Sequence, residues 1–265
     1  MWLFRVAMAA EFVGHGVFGW HCKPAWIPYF GVAGLDPDIA CRLMPWVGTH
    51  DVLLGLIGLF SPRPVVLAWM TFWGFWTATL RPLAGEPIWE MVERAGNIGL
   101  PLAFLLFTWP VAGGLKAWFA PARPPQDAAD RLPRLATVLR WTTALLLIGH
   151  GALSSICCKE LLAQHYALLG WRPMAFGAGG ALLEPARFLG ALEIGLGALI
   201  LARPLPALLI LALAWKLFTE SLYPLNGAPI WEFVERGGSY AAPLGLLITY
   251  RYWKMRQREP SPAGE

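Results

Sequence analysis

Residues 85–94 read GEPIWEMVER, and residues 227–236 read GAPIWEFVER. The two segments align without a gap, and a biased composition does not explain a match of this length. Other identical or similar residues lie at matching positions around them: Pro82 and Pro224, Pro101 and Pro243, Asp51 and Glu193, His15 and His150, Cys22 and Cys157. The sequence therefore predicts that the chain is a tandem repeat of two halves.

The composition is typical of a protein in contact with lipid. Of the residues, 57% are hydrophobic and 14% are charged, and the mean hydropathy is +0.50. An ordinary soluble domain carries about 25% charged residues. The abundance of Leu, Phe and Trp excludes a disordered chain, and four Cys residues are too few for a disulfide scaffold. The net charge of +4 is not gathered on a polar domain, so we expect a lipid bilayer and no nucleic acid as partner.

Eight apolar segments approach the length that crosses a bilayer, roughly 17–25 residues of helix. Proline-containing turns at 61–64 and 202–204 separate the closest pairs. Each half holds four spans, and an even number gives both halves the same orientation. We therefore predict an all-α membrane protein with eight transmembrane helices, arranged as two tandem four-helix bundle repeats in the same orientation. The expected spans are 3–21, 46–61, 64–81, 96–113, 138–157, 187–202, 204–222 and 237–252.

The predicted domains are a first repeat at 1–118, a cytoplasmic linker at 119–136, a second repeat at 137–253 and a polar tail at 254–265. Twelve Lys and Arg residues fall on the membrane face that holds both termini, and eight fall on the other face. Basic loops favour the cytoplasm. The other face carries 12 of the 17 acidic residues, and we call it the acidic face. The expected location is a bacterial inner membrane with both termini cytoplasmic.

The second half resembles the DoxX family of four-helix membrane proteins. The resemblance covers about residues 139–222 and rests on residues 140–151, Lys159, 168–170, 189–199 and 202–204. The first half is similar more weakly, through 14–16, Lys23 and 48–58, where Asp51 replaces the family's Glu. The resemblance implies a membrane protein that serves a redox system linked to quinones, thiols or sulfur compounds. It makes a quinone the candidate cofactor, and it implies a redox partner protein, with this chain as a subunit of a membrane oxidoreductase.

Glu11, His15 and Cys22 are spaced to lie on one face of the first helix. The second half has Leu146 in place of Glu11, so this carboxylate belongs to one half only. A histidine inside a membrane helix is costly and normally faces the bundle interior. For His15 and His150 a helix-packing point, a ligand or proton site, and a metal or haem site all stay open, in that order of preference.

Asp51 and Glu193 are expected at the start of the second helix of each half. There they either pair with Lys23 or Lys159 or face a cavity. Each repeated segment also carries a Glu and an Arg four positions apart, which predicts an ion pair, and a second Glu without a partner. We expect one or two cavities opening to the acidic face, lined by His15, His150, Glu90, Glu93, Arg94, Glu232, Glu235 and Arg236.

All four cysteines fall on the acidic face: Cys22, Cys41, Cys157 and Cys158. If that face is the periplasm, disulfides can form there. A bond between the neighbours Cys157 and Cys158 would be strained, which favours Cys22 or Cys41 as the partner. A disulfide-to-quinone relay and buried packing thiols both stay open.

Three functions follow from these features. The first is a redox-linked membrane protein with a polar cavity on the periplasmic side. The second is a transporter of a small molecule or ion that uses the same histidines and carboxylates. The third is a non-catalytic membrane scaffold for a partner enzyme. The sequence contains no phosphate-binding loop, dinucleotide fingerprint or zinc-protease motif, so it gives no support to soluble-cofactor enzymology.

Overall fold

The computed structural model describes residues 1–110, 113–170, 174–176 and 181–258, so the end of the predicted C-terminal tail lies outside the described residues. The described chain is almost entirely helical. A 3-10 turn at Pro24–Trp26 and an antiparallel pair, β1 (Met174–Phe176) and β2 (Ala181–Leu183), are its other regular elements. The helices are α1 (Trp2–Trp20), α2 (Ile27–Gly31), α3 (Pro37–Phe60), α4 (Pro64–Leu83), α5 (Trp89–Glu93), α6 (Ala95–Phe107), α7 (Gly114–Phe119), α8 (Ala128–Ser155), α9 (Glu160–Ala167), α10 (Pro185–Ala202), α11 (Pro206–Leu225), α12 (Trp231–Val234) and α13 (Gly237–Arg258).

Among the described residues, four helices are long and apolar enough to cross a membrane: α3, α8, α10 and α11. A shorter apolar helix, α6, has 13 residues. Large apolar side chains such as Leu53, Phe72, Leu199 and Leu211 are exposed on the outside of the helices. An apolar outer surface of this kind fits a lipid environment. The predicted multi-pass membrane character is therefore confirmed.

The proline-containing turns lie where the sequence predicts them. Residues 61–63 separate α3 from α4, and residues 203–205 separate α10 from α11. In each case a proline stands in the first turn of the following helix, where its missing N–H costs nothing.

Two helices begin earlier than the apolar windows indicate. α3 begins at Pro37, not near residue 46, because the Asp36 carboxylate accepts a hydrogen bond from the Ile39 N–H at 2.8 Å and caps the helix. α8 begins at Ala128, inside the segment predicted to be a linker. In its first turn the Arg131 guanidinium donates hydrogen bonds to the carbonyl oxygens of Phe107 and Trp109. Asp51 lies inside α3 and Glu193 lies inside α10, so the prediction that they start these helices was wrong.

Glycines allow the first two long helices of each half to approach closely. A Cβ atom on Gly48 of α3 would lie 2.5 Å from the carbonyl oxygen of Gly16 of α1. A Cβ atom on Gly190 of α10 would lie equally close, 2.5 Å, to the carbonyl oxygen of Gly151 of α8. Small residues at such crossings are how membrane helices pack backbone against backbone.

The helices of the two halves are interleaved. α6 packs against α8, and α13 packs against α1, so these four helices surround the common core. Phe4 and Phe104 stack there with ring centroids 5.7 Å apart, and Leu100, Leu139 and Leu246 are fully buried. As a consequence α5 lies on α8 and α12 lies on α1, which places each repeated Trp-Glu segment against the first helix of the other half.

Candidate functional site

A cavity of about 230 Å³ lies among α1, α2, α3, α4 and α6, entirely within the first half of the chain. Its wall is largely aromatic, with Phe12, Trp26, Tyr29, Phe30, Trp73 and Trp76. Its charged and polar lining consists of Glu11, His15, Asp51, Thr77, Arg81, Arg94 and Asn97. An apolar pocket with a few convergent polar groups is the usual form of a small-molecule site.

Glu11 and His15 line this cavity, and each also has a buried polar atom without a hydrogen-bond partner among the described residues. Glu11 is only 2% exposed, and its Oε2 atom has no hydrogen-bond partner in the part of the chain that the structure describes. His15 stacks on Trp26, with ring centroids 5.3 Å apart, and its Nδ1 atom lies 3.5 Å from Glu235 Oε2 without a hydrogen bond. A buried polar atom without a partner is unfavourable, so a ligand that donates a hydrogen bond to either side chain would offset this cost.

Asp51 is held by neutral donors. Trp73 Nε1–H donates to Asp51 Oδ1 at 2.8 Å, and His50 Nδ1 lies 3.1 Å from the same oxygen. Trp69 Nε1–H donates to His50 Nε2 at 2.8 Å, so that nitrogen carries no proton. His50 therefore donates its Nδ1–H to Asp51, so the carboxyl group of Asp51 accepts hydrogen bonds from an imidazole and an indole and has no Lys or Arg partner among the described residues.

The two arginines of the cavity wall are engaged with other carboxylates. Arg81 pairs with Glu86 at 3.0 Å and with Glu90 at 3.2 Å, and Arg94 lies 3.7 Å from Glu93. The predicted Glu90–Arg94 pair is wrong, because the helical turn breaks at Arg94 and Arg81 offers Glu90 a closer partner. Arg81 was not predicted as a site residue, although it is a charge near the end of an apolar helix.

The matching region of the second half is filled by a buried charge network. His150 Nδ1 lies 2.6 Å from Glu193 Oε2, and Lys216 Nζ lies 4.0 Å from Glu193 Oε1 and pairs with Glu220. Each of these four side chains is 1% exposed. Lys216 and Glu220 were missed from the sequence, yet two opposite charges four residues apart in an apolar helix are a readable signal of an interior pair.

Arg236 connects this network to the repeated segment. Its guanidinium contacts Glu220 at 2.7 Å, Glu232 at 2.9 Å and Glu235 at 3.2 Å, and it lies over the ring of Tyr223. The predicted Glu232–Arg236 pair is therefore present. A second, small cavity of about 20 Å³, room for about one water molecule, lies between the two segments and is lined by His15, Glu93, Arg94, Asn97, Glu235, Arg236 and Ser239.

The two lysines pair with the repeated segments and not with Asp51 or Glu193. Lys23 Nζ lies 2.7 Å from Glu232 Oε1, and Lys159 Nζ lies 2.5 Å from Glu90 Oε1. The alternative that these lysines neutralise Asp51 and Glu193 was therefore wrong. Both contacts cross from one half to the other.

The cysteines are divided between one disulfide and two thiols. Cys22 and Cys41 are bonded, with Cα atoms 5.3 Å apart, while Cys157 is half-buried and Cys158 is exposed. Helix α1 ends before Cys22, so the expected stripe of Glu11, His15 and Cys22 stops at His15. In backbone conformation Cys22 matches Cys158, since both have positive φ angles, 47° and 51°, and a lysine follows each.

Tyr29 and Cys157, which lie outside the long helices, have raised pKa values. Burial raises the pKa of the Tyr29 phenol, whose O–H donates to Glu86 at 2.5 Å beside the cavity. Burial and the neighbouring Cys158 raise the pKa of the Cys157 thiol. Within the described ranges no three His, Cys, Asp or Glu side chains are grouped to hold a metal ion.

No protein family, no curated protein and no solved structure matches this chain.

Proposed function

We propose that the chain is an eight-span membrane protein of the DoxX type, built from two tandem repeats in the same orientation, with both termini on the cytoplasmic side of a bacterial inner membrane. The Lys23–Glu232 and Lys159–Glu90 contacts support this proposal, because they join corresponding residues of the two halves in a reciprocal way. The Gly16–Gly48 and Gly151–Gly190 crossings support it in the same manner.

The topology has a direct test. Reporter fusions after Arg123, between the two halves, and after Glu265, at the end of the sequence, should both report the cytoplasm. The reason is that four spans lie between the two positions. Opposite answers from the two fusions would overturn the arrangement.

The function that the geometry supports best is binding of a small molecule in the first-half cavity, in the service of a redox system. The observation that carries it is the buried Glu11 side chain, which lines an aromatic cavity of about 230 Å³ and has a carboxylate oxygen without a hydrogen-bond partner in the described part of the chain. The candidate ligands are a quinone headgroup and a small thiol or sulfur compound, because the resemblance to the DoxX family implies them. The aromatic side chains of Trp26, Trp73 and Trp76 in the cavity wall suit a planar ring.

Tryptophan fluorescence tests this function, since three tryptophans line the cavity. Purified protein should lose fluorescence on titration with a soluble quinone, and mass spectrometry of extracted protein should find a co-purified small molecule. Val47→Phe narrows the cavity and should abolish both signals, whereas Leu53→Phe, on the exposed face of the same helix, should preserve them. Equal behaviour of the two variants, or absence of any signal in the unmodified protein, would refute ligand binding.

A transporter is the second candidate, and one observation favours it. Charged and titratable groups form a continuous series from His150 through Lys216 and Arg236 to Glu235, which faces His15 at the cavity. Such series inside membrane helices mark ion and proton pathways. Protein reconstituted in liposomes with an imposed pH gradient should then transport protons, and the Glu220→Gln variant should transport them more slowly. The redox function predicts no proton flux in the unmodified protein or in the variant.

A further inference from the structure

The two halves differ at the place where the cavity lies. From α3 onward, residues of the second half follow their counterparts by 142 positions, as the aligned segments 85–94 and 227–236 show. At this offset three lining residues of the first-half cavity, Asp51, Trp73 and Gly74, correspond to Glu193, Trp215 and Lys216. One turn further along α4, Ala78 corresponds to Glu220.

In the second half this place holds an ammonium group between two carboxylates. Lys216 Nζ pairs with Glu220 and lies 4.0 Å from Glu193, and all three side chains are fully buried. A buried charge persists only when it is paired, so the two carboxylates are what makes Lys216 acceptable there.

In the first half two carboxylates face the cavity without such a group. Glycine stands in place of the lysine, and Glu11 on α1 is the second carboxylate of the cavity wall. Glu11 and Asp51 are 2% and 5% exposed, and neither has a Lys or Arg partner in the described part of the chain. The two arginines of the cavity wall are taken by Glu86, Glu90 and Glu93.

We infer that the first-half cavity binds a small organic ammonium ion whose nitrogen occupies the position that Lys216 Nζ has in the second half. Glu11 and Asp51 bind the ammonium group through charge-assisted hydrogen bonds. The tryptophan walls surround the remainder of the ligand and add a cation–π attraction. This inference rests on the proposed ligand-binding function and names the chemical class of its ligand. An aminothiol has both the thiol of the proposed function and the ammonium group inferred here.

The probe that tests it is n-butylammonium, which has the four-carbon chain and terminal nitrogen of a lysine side chain. Its binding is measured by tryptophan fluorescence and by the shift in melting temperature, beside n-butanol as a neutral probe of the same size. We expect saturable binding of n-butylammonium and at least tenfold weaker binding of n-butanol, because a hydrogen bond to a charged group is worth about that factor or more.

Two conservative variants locate the binding. Glu11→Gln and Asp51→Asn should each weaken n-butylammonium binding by about tenfold and leave n-butanol unchanged. Glu160→Gln, on the exposed side of α9, is the matched control and should bind like the unmodified protein. The melting temperature and the quinone titration of each variant show whether it is folded.

The outcomes separate the two proposals. If quinone quenches the fluorescence but n-butylammonium neither binds nor competes, the ammonium inference is overturned and the ligand cavity stands. If n-butanol binds as well as n-butylammonium, or if folded Glu11→Gln and Asp51→Asn proteins bind n-butylammonium normally, the inference is overturned as well. If no probe binds, both proposals fail.

Discussion

At the scale of single residues, Cys157 and Cys158 are adjacent in sequence but differ in their surroundings. Cys158 is exposed, whereas Cys157 is half-buried and its thiol pKa is raised. The thiolate is the reactive form, so a raised pKa leaves less of it at neutral pH. Burial, the larger cause, persists in a Cys158→Ala protein, so maleimide should label Cys157 there several-fold more slowly at pH 7 than it labels Cys158 in a Cys157→Ala protein. Labelling of Cys157 should accelerate as the pH rises towards its pKa, and equal rates at pH 7 would contradict the structure.

The disulfide offers a second prediction at this scale. Cys22 and Cys41 are bonded, so maleimide should modify two thiols in the native protein and four after reduction and denaturation. Cys22→Ala leaves Cys41 as a third thiol that becomes reactive without reduction. Intact-protein mass spectrometry counts the labels, and four labels without reduction would mean that the bond is absent.

The sequence predicted which site residues lie together only where the residues belong to the same helix. Glu11 and His15 are four residues apart, and helical geometry places both at one cavity. Lys216 and Glu220 carried the same four-residue signal and could have been found. The pairing of Glu90 with Arg81 and Lys159 could not, because it depends on how distant helices pack.

At the scale of elements, the crossing of α8 and α10 requires a residue without a Cβ atom at position 190. A Cβ atom on Gly190 would lie 2.5 Å from the Gly151 carbonyl oxygen, whereas a Cβ atom on Gly195 of the same helix meets nothing within 4 Å. Gly190→Ala should therefore lower the free energy of unfolding by about 1–3 kcal/mol through overpacking. Gly195→Ala should be neutral or stabilise by up to about 1 kcal/mol, since alanine is the better helix former. Unfolding in mixed micelles measures both, and equal effects would show that the crossing is not this close.

The helix ends show which local signals the sequence carries. Proline with its preceding turn marked the boundaries at 61–63 and 203–205 correctly, because proline acts locally. The start of α3 was missed because hydropathy windows ignore the Asp36 cap and discard a polar first turn. The expected span began at residue 46, and Pro45 lies inside α3, as the ninth residue of the helix that begins at Pro37.

At the scale of the whole molecule, the halves exchange their repeated segments. The sequence repeat suggests two self-contained bundles, in which Lys159 would meet Glu232 of its own half. In the structure Lys159 meets Glu90 of the first half, and Glu232 meets Lys23. Sequence periodicity cannot distinguish these arrangements, because the repeated residues are the same in both. Only the packing of α6 on α8 and of α13 on α1 decides between them.

A pair of double-mutant cycles distinguishes the two arrangements. In the first cycle Lys159→Met is combined with Glu90→Gln, two residues in contact at 2.5 Å with side chains 33% and 6% exposed. Such a partly buried contact should give a coupling energy of about 1 kcal/mol in the free energy of unfolding, above the typical value for exposed pairs. In the second cycle Lys159→Met is combined with Glu232→Gln, which lies at the corresponding position of the other segment and contacts Lys23. That cycle should give no coupling, because residues without contact act additively. If instead Lys159 couples to Glu232 and not to Glu90, each half keeps its own segment and the interleaved fold is wrong.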